Sequence, residues 1–591
     1  MESSTMRSAM QSSTTRSGRK KRPDMLYPMY VVQVKNFMRM TDAKPHQDLM
    51  HKGLVKKYLK SFDSVAVFVS HQWCGRRHAD PDFRQLSILQ RIFKHAIAGT
   101  LSVEVDVLSK VYFSMKASIF PEHFKGANDW WMWYDFFSVP QPGSPCAESS
   151  QHTDLQGALG KAVASLAAYV ANCQMFMVLA PSIQHADGFI ISYNTWQSRG
   201  WCRFERLARA LSSRDDNRLL LVQTPDTVFE LGAVDWLFDP VGEGCFTVES
   251  DKERIAATAR TLVEEKLQEL WNSELYNGFR RLLALRSELF RGLPVEAREI
   301  LPPGLDDGAA RERGMDGFLR LYGFERPSQY IGGSCPLLLA SCAGDEDVVQ
   351  ELLAARATVT SGEKANDAQY LVFRGTRPLH HAAWHGHERV ANLLLDHMAD
   401  PNKCDRKGLS ALHCATFRGN SSLVGLLVER KAHLNVADNI GATPLFVAVL
   451  RNNTSTLADL LARGASTVSS KDGLSGLHVA AVFGASPEIV NQLVDAGFPV
   501  DARFYPRRFG LFWMIYGLLH IAHEMGGRSQ LKLLGHHIWD ATPLMVAVMC
   551  GQHTVVADLV DRDADITARN KRGLTALQLA ELFGQRQTLS E

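Results

Sequence analysis

The sequence predicts a multidomain α/β plus all-α chain: a parallel-sheet unit, a helical connector, then a helical solenoid. Three observations predict it. From residue 62 to 223, short continuous apolar runs alternate with helical periodicity, the pattern of a parallel sheet covered on both faces. After residue 331, leucines recur at a spacing of 32–33 residues, as in stacked repeats. Between them, the run from Leu301 through Pro302, Pro303 and Gly304 to Gly308 reads as a linker. At 591 residues the chain is too long for one core. The expected division is a basic tail over 1–24, an N-terminal extension over 25–61, the α/β domain over 62–223, the connector over 224–330 and the array over 331–591.

The tail is rich in Ser and Thr and carries Arg19-Lys20-Lys21-Arg22. Nothing apolar in it offsets ordering entropy, so it is expected to be disordered. The basic run reads as a solvated face, or as a nuclear address or phosphate-binding arm. Over the whole chain 65 basic residues meet 63 acidic ones, so no global field recruits nucleic acid or membrane. No apolar stretch is long enough to span a bilayer. The ten cysteines are scattered without a Cys-x-x-Cys pair, as expected of reduced thiols in a cytoplasmic or nuclear protein.

Within 62–223, Val65 to Val69 is a strand candidate ending at Ser70-His71-Gln72-Trp73. Asp82 is a candidate cap for a helix with Phe83, Leu86, Leu89 and Phe93 on one face. Trp131 to Phe137 reads as a second strand, with Trp131 and Trp133 sharing a core face. Thr153 and Gln156 read as a capping box for a helix through Leu155, Leu159, Leu166 and Val170. Met175 to Ala180 is a third strand and Leu219 to Val222 a fourth. Between these two, Trp201-Cys202-Arg203-Phe204-Glu205 opens a helix beside the carboxyl edge of the sheet, where open α/β sheets bind ligands. Ser70 and His71 are adjacent on a strand end and point apart, and no local acid orients His71, so a Ser-His-Asp triad is not expected.

Those residues carry a resemblance. Phe68 to Trp73, Asp135 to Gly143, and above all Ser198 to Glu205 with Trp201, Cys202 and Glu205 in register, resemble the motifs of Toll/interleukin-1 receptor (TIR) domains. The form with Ser-His-Gln-Trp is similar to that of protist and algal multidomain proteins. The resemblance covers about a quarter of the chain and implies a flavodoxin-like parallel sheet. Some TIR domains self-associate as scaffolds, and some hydrolyse the nicotinamide–ribose bond of NAD with the Glu of this motif. The carry-over falls on Glu205 as catalytic carboxylate. A fixed anion there would stabilise positive charge developing on the ribose. Trp73 and Trp201 would wall an NAD pocket, and Ser70 would supply a hydroxyl. The long connection from Ala180 to Ser198, and Arg203 after the cysteine, depart from the family pattern. Cys202 reads as a packed small group.

In the connector, Ser250 and Glu253 form a candidate capping box. Two helices are expected, hinged near Gly278 and stopped by Gly292 and Pro294.

In the last segment Leu379, Leu412, Leu445 and Leu477 are spaced 33, 33 and 32 residues apart, and Leu544 and Leu577 another 33. Thr-Pro-Leu recurs at Thr443 and Thr542, and Arg377-Pro378-Leu379-His380 is a variant of it. These residues resemble the ankyrin repeat, with about six or seven copies and insertions at 360–375 and 503–539. The second insertion reads either as a degenerate repeat or as a helical excursion. Threonine caps and proline at the first helical position start each helix. Gly386, Gly419 and Gly484 end it in the left-handed conformation. Turn tips are expected near Asp405, Asp438 and Asp472. His381 and His385 lie four apart on a helix, as metal ligands can. No third ligand is evident in the sequence, so no metal is expected.

The leading expectation is a signalling or scaffold protein without a required cofactor. Its array binds a protein partner on the concave face and turn tips, and its TIR-like domain forms a homo-oligomer. The alternative is an NAD glycohydrolase acting through Glu205 and switched on by clustering, with NAD as substrate.

Overall fold

The computed structural model describes residues 25–59, 65–105, 109, 119–141, 155–212, 219–225, 227–232, 235–237, 239–302, 312–370, 372–466, 474–505 and 530–583. The basic tail, the Thr153 cap, most of the 301–308 linker, Asp472 and the apolar run at 511–516 lie outside them. The chain folds as two compact units that divide at Asp306/Asp307. Among the described residues, no helix is long and apolar enough to cross a membrane.

The first unit is built on strands β1 (Tyr30–Gln33), β2 (Val55–Lys57), β3 (Ala66–His71), β4 (Ser102–Val105), β5 (Trp131–Trp133), β6 (Met175–Leu179), β7 (Ile183–Gln184), β8 (Ile190–Ile191), β9 (Leu219–Val222) and β10 (Thr227–Leu231). Eight of them form one sheet in the order β2-β1-β5-β3-β6-β9-β10-β4, and β7 and β8 form a separate hairpin. The four central strands β5, β3, β6 and β9 are parallel. In chain order they stand second, first, third, fourth, so the sheet switches direction of winding between β3 and β6. The sheet as a whole is mixed rather than parallel, because β1 joins β5 antiparallel and β10 joins β9 antiparallel.

It also reaches beyond the span 62–223 on both sides. The N-terminal extension adds β1 and β2, and the start of the expected connector adds β10. Short edge strands carry too little periodicity to be read as strands. Their pairing with the neighbouring strand forms them. The extension is tied down at Ser165, whose hydroxyl accepts from the Leu26 and Tyr27 backbone N–H groups at 2.8 and 3.1 Å.

Strand β3 is buried along its whole length. Alternation puts Val67, Val69 and His71 on one face and Phe68 and Ser70 on the other. On the first face Val67 and Val69 join a core with Leu86, Leu89 and Phe93 of the helix Arg84–Ala98. On the second, Phe68 stacks on Trp133 at 4.4 Å and on Phe176 at 5.1 Å.

Several local details differ from the sequence expectation. Asp80, not Asp82, caps the helix Arg84–Ala98, its carboxylate accepting from Arg84 and Leu86 N–H at 3.0 and 2.8 Å. Phe83 takes a left-handed turn (φ 56°) before the helix and moves the cap upstream. The expected second strand stops at Trp133, and Asp135–Ser138 is a short helix, begun by an acid in its first turn. Ser250 precedes the helix Asp251–Asn272 without a side-chain cap. The break between connector helices falls at Glu274 (φ 59°), upstream of Gly278, which lies inside the helix Tyr276–Ala284. Gly242 and Gly292 are required where they stand, because a Cβ on Gly242 would come within 2.3 Å of the Gly292 backbone.

The second unit opens with the helix Gly314–Tyr322, expected in the connector but placed against the helix Glu346–Ala354. Its Met315 N–H donates to Glu351 at 2.6 Å. Helix pairs then follow from Pro336–Ala343 with Glu346–Ala354 onward to Pro543–Cys550 with His553–Asp561, and Ala576–Leu582 comes last. Thr443, Thr542 and Thr575 cap their helices through the side-chain oxygen, each worth about 1 kcal/mol.

His380 and His413 carry Nε2 to the Leu409 and Ala442 carbonyls, each 29 residues on. His478 makes the same bond to Ala541, 63 residues on. The helix Gly476–Phe483 therefore stacks directly on Pro543–Cys550. Of the 503–539 segment, residues 506–529 lie outside the described residues. The ends of the segment are clasped where Phe504 N–H donates to Ala541 and Asp540 N–H to Phe504.

The aspartates at the turns are structural. Asp438 is 4% exposed rather than at an open tip. Its carboxylate accepts from Ile440 and Ala442 N–H at 2.9 and 2.8 Å. Asp405 and Asn570 repeat the arrangement at the same offsets. The exposed tip residues are their neighbours Arg406 and Asn439.

Candidate functional site

The carboxyl ends of β3 and β5 gather a polar cluster next to the reversal of winding between β3 and β6. On one face of β3, the Ser70 hydroxyl donates to Glu205 Oε2. Ser70 also accepts from Trp196 Nε1 at 3.0 Å. Glu205 comes from the helix Gly200–Leu211, and the neighbouring short helix Tyr193–Ser198 carries Trp196. Trp196 is fully buried, and Arg206 lies 5.5 Å from its ring centroid.

The other face of β3 carries a second group. His71 Nε2 lies 2.7 Å from Asp135 Oδ1. Trp73 Nε1 donates to Asp135 Oδ2 at 2.8 Å, and Phe136 N–H also donates to this carboxylate. The His71 ring stacks on Tyr134 at 4.0 Å. Among the described residues, His71 Nδ1 is buried without a hydrogen-bond partner. An acid 64 residues away thus orients the histidine, which local sequence could not show. Ser70 and His71 still point to opposite faces, so no Ser-His-Asp relay forms.

The two carboxyl groups are driven apart. Burial pushes Glu205 up to about 8, the Ser70 hydrogen bond opposes that rise, and the Asp135 charge adds to it. Burial acts to raise Asp135 too. The His71 charge and hydrogen bond, with the Trp73 and Phe136 donors, outweigh burial and hold Asp135 below its usual range. One acid that keeps its proton near neutrality beside one that does not is the arrangement acid–base sites use. Cys202 is buried with its sulfur 3.8 Å from the His71 carbonyl. Burial first, then the Glu205 charge, raises its thiol well above the ordinary value, so it is an inert packed group.

The structure brings two of the expected site residues into contact. Ser70 and Glu205 touch, while Trp73 belongs to the group on the other face, where it donates to Asp135. Trp201 is elsewhere: its Nε1 donates to Asp251 Oδ2 at 3.0 Å, at the start of the helix Asp251–Asn272. It fastens the Glu205 helix to the connector. Arg203 does the same, donating to the Gln197 and Pro240 carbonyls at 2.8 and 2.9 Å. Sequence reasoning missed Trp196 and the pairing of Asp135. The long connection before Ser198 folds into the β7–β8 hairpin and the helix Tyr193–Ser198, and so delivers Trp196. The available signal was Ser192 with Thr195, whose hydroxyl accepts from Ser192 N–H at 2.8 Å at the start of that helix.

Comparison with known proteins bears on the second unit. Residues 309–405, 337–438, 379–472 and 412–504 match the family described as ankyrin repeats (3 copies), and residues 539–571 match the single ankyrin repeat. The C-terminal part of the chain is an ankyrin-repeat region. Among solved structures, the crystal structure of the human ASB11 ankyrin repeat domain is similar at 23% identity. The match covers 43% of this chain and 96% of that one, with a TM-score of 0.32. No curated protein matches the chain.

Proposed function

We infer that this protein is a scaffold whose ankyrin array docks a protein partner, while the α/β unit self-associates as TIR-like domains do. The observation that carries the reading is the repeat stack itself. Its inner polar groups are spent on neighbouring repeats, which leaves the turn tips and exposed helix faces as an extended surface for a partner. Charge reversal of the exposed tip residues Lys403 and Arg406 tests it. Partners cross-linked to the full chain are lost from the Lys403→Glu/Arg406→Glu protein while its melting temperature is unchanged. Retention of every partner by that variant overturns the assignment to the tips. Self-association is read by sedimentation velocity of the full chain across a concentration series.

A second reading is favoured by one observation, the Ser70–Glu205 contact at the winding reversal of the sheet, where open α/β sheets take ligands. In this reading the unit is an NAD glycohydrolase. Nicotinamide leaves the ribose as a neutral ring, and the Glu205 carboxylate stabilises the cationic sugar that remains. Ser70 holds the carboxylate and is itself held by Trp196 Nε1, while Asp135 and His71 line the same edge. The working form is the anion, so activity rises with pH through about 8, where Glu205 ionises. The test is nicotinamide release from NAD by the full chain at high concentration. Loss on the order of a hundredfold in Glu205→Gln is expected for a charge-stabilising group, and activity that survives the substitution removes Glu205 from the reaction.

A further inference from the structure

We propose that the first two ankyrin repeats hold a zinc ion between Cys342, His381 and His385, with Glu363 as the buried carboxylate that completes the site. The proposal is independent of the NAD reading and lies in the other unit.

The sequence offered only His381 and His385, four apart on one helical face. The third group comes from the neighbouring repeat. Cys342 sits on the helix Pro336–Ala343, which packs against Pro378–His385. One candidate ligand atom from each of the three residues lies within 4.8 Å of the other two. All three side chains are buried, at 3%, 4% and 4% exposure. The two imidazoles are nearly parallel, with planes 7° apart and centroids 6.3 Å apart. Around tetrahedral zinc, with bonds of about 2.0–2.3 Å, ligand atoms stand roughly 3.5 Å from one another. Small side-chain rotations close the difference without moving a helix.

A fourth group is in place. Glu363 is 2% exposed and its Oε1 lies 3.1 Å from His381 Nε2. It belongs to the stretch 360–375 that interrupts the repeat period. That stretch is pinned where Glu363 N–H donates to the Thr376 carbonyl and Gly375 N–H to the Glu363 carbonyl. Ser334 Oγ donates to the same carboxylate oxygen at 3.2 Å. Before the ion binds, the Glu363–His381 contact fixes the tautomer and orientation of His381, and on binding the same carboxylate takes the fourth position. It also balances charge: one thiolate and one carboxylate neutralise a dication, so the buried site carries no net charge. His387 Nε2, 3.0 Å from the Cys342 carbonyl, holds the chain at the cysteine.

Thiolate plus imidazole selects zinc over magnesium or calcium, which take oxygen ligands. The ion would staple the first repeat to the second and tie in the inserted stretch. Binding releases the Cys342 proton to solvent, with no redox change.

The test uses the full chain, stripped with chelator and reloaded with zinc chloride. The expected results are one tightly held zinc per chain and a higher melting temperature than the stripped protein. X-ray absorption at the zinc edge is expected to show a single sulfur neighbour with nitrogen or oxygen in the remaining positions. Cys342→Ser and His385→Ala each lose the ion, while Cys414→Ser, a buried cysteine in the next repeat, keeps it. If either ligand variant fails to fold, cobalt loaded into the wild-type chain still decides, through the charge-transfer band of one thiolate. A wild-type chain that retains no zinc, a sulfur-free or multi-sulfur shell, or full zinc in Cys342→Ser overturns the proposal.

Discussion

In the ankyrin array, His380, His413 and His478 each send Nε2 to the backbone of a following repeat, one histidine per carbonyl. In the α/β unit, Ser70, His71, Asp135, Trp196 and Glu205 come from three stretches of chain and bond to one another. The residue types overlap, but the consequences differ. A polar group repeated with the period of the fold satisfies that fold and has nothing left over. Polar groups that converge from distant segments share burial and charge, and their proton affinities separate. Convergence, not residue type, marks the candidate site.

The largest way to break this contrast is acid. Burial, only partly offset by the carbonyl hydrogen bonds, lowers His380, His413 and His478 from 6.5 to about 4. Each favours the folded state while neutral. That contribution is complete above the unfolded value of 6.5 and is lost as pH falls through about 4, on the order of 3 kcal/mol per histidine. Glu205 has the opposite sign. Its raised value favours the folded state while protonated, complete below 4.5 and lost as pH rises through about 8. Hydrogen exchange read peptide by peptide should show the array loosening on acidification and the Ser70–Glu205 edge loosening on alkalinisation. The same direction in both units would end the comparison.

Single substitutions sharpen it. His413→Ala strands the Ala442 carbonyl and opens a cavity, and should destabilise the array by about 3 kcal/mol in denaturant titration. Glu205→Gln replaces a group that is neutral below about pH 8 with one of the same shape, and should cost less than about 1 kcal/mol at pH 7. Asp438→Ala removes the carboxylate that accepts from two backbone N–H groups at one turn and should cost about 1 kcal/mol. The smallest effect is also the most diagnostic. Ser70→Ala removes the bond that lowers Glu205, and Asp135→Asn removes the charge that raises it. A carboxyl titration followed by NMR of labelled glutamate should move up in the first variant and down in the second.

Legibility followed the same division. Helix starts at Thr443 and Thr542 and left-handed ends at Gly386, Gly419 and Gly484 are set within a few turns of chain. They are readable because each acts on its own neighbourhood. The Ser70–Glu205 pair was legible only through a motif. Trp196 was not legible, because it lies in a connection whose fold depends on what it packs against. For Trp201 the motif gave the place on the helix, while its bond to Asp251, fifty residues on, appears only in the tertiary structure.

From the chain alone came the repeat period, the alternation of apolar strands with amphipathic helices, and the acid at the sheet edge. The first two rest on local periodicity and capping, the third on the motif at 198–205. Tertiary structure alone decided that two edges of the sheet run antiparallel, that Asp135 belongs to His71, and that Cys342 meets His381 and His385. The physical reason is that hydrogen bonds, charges and candidate ligands act across a few ångströms of space. Separations of 39 to 64 residues leave no trace in the sequence between the partners.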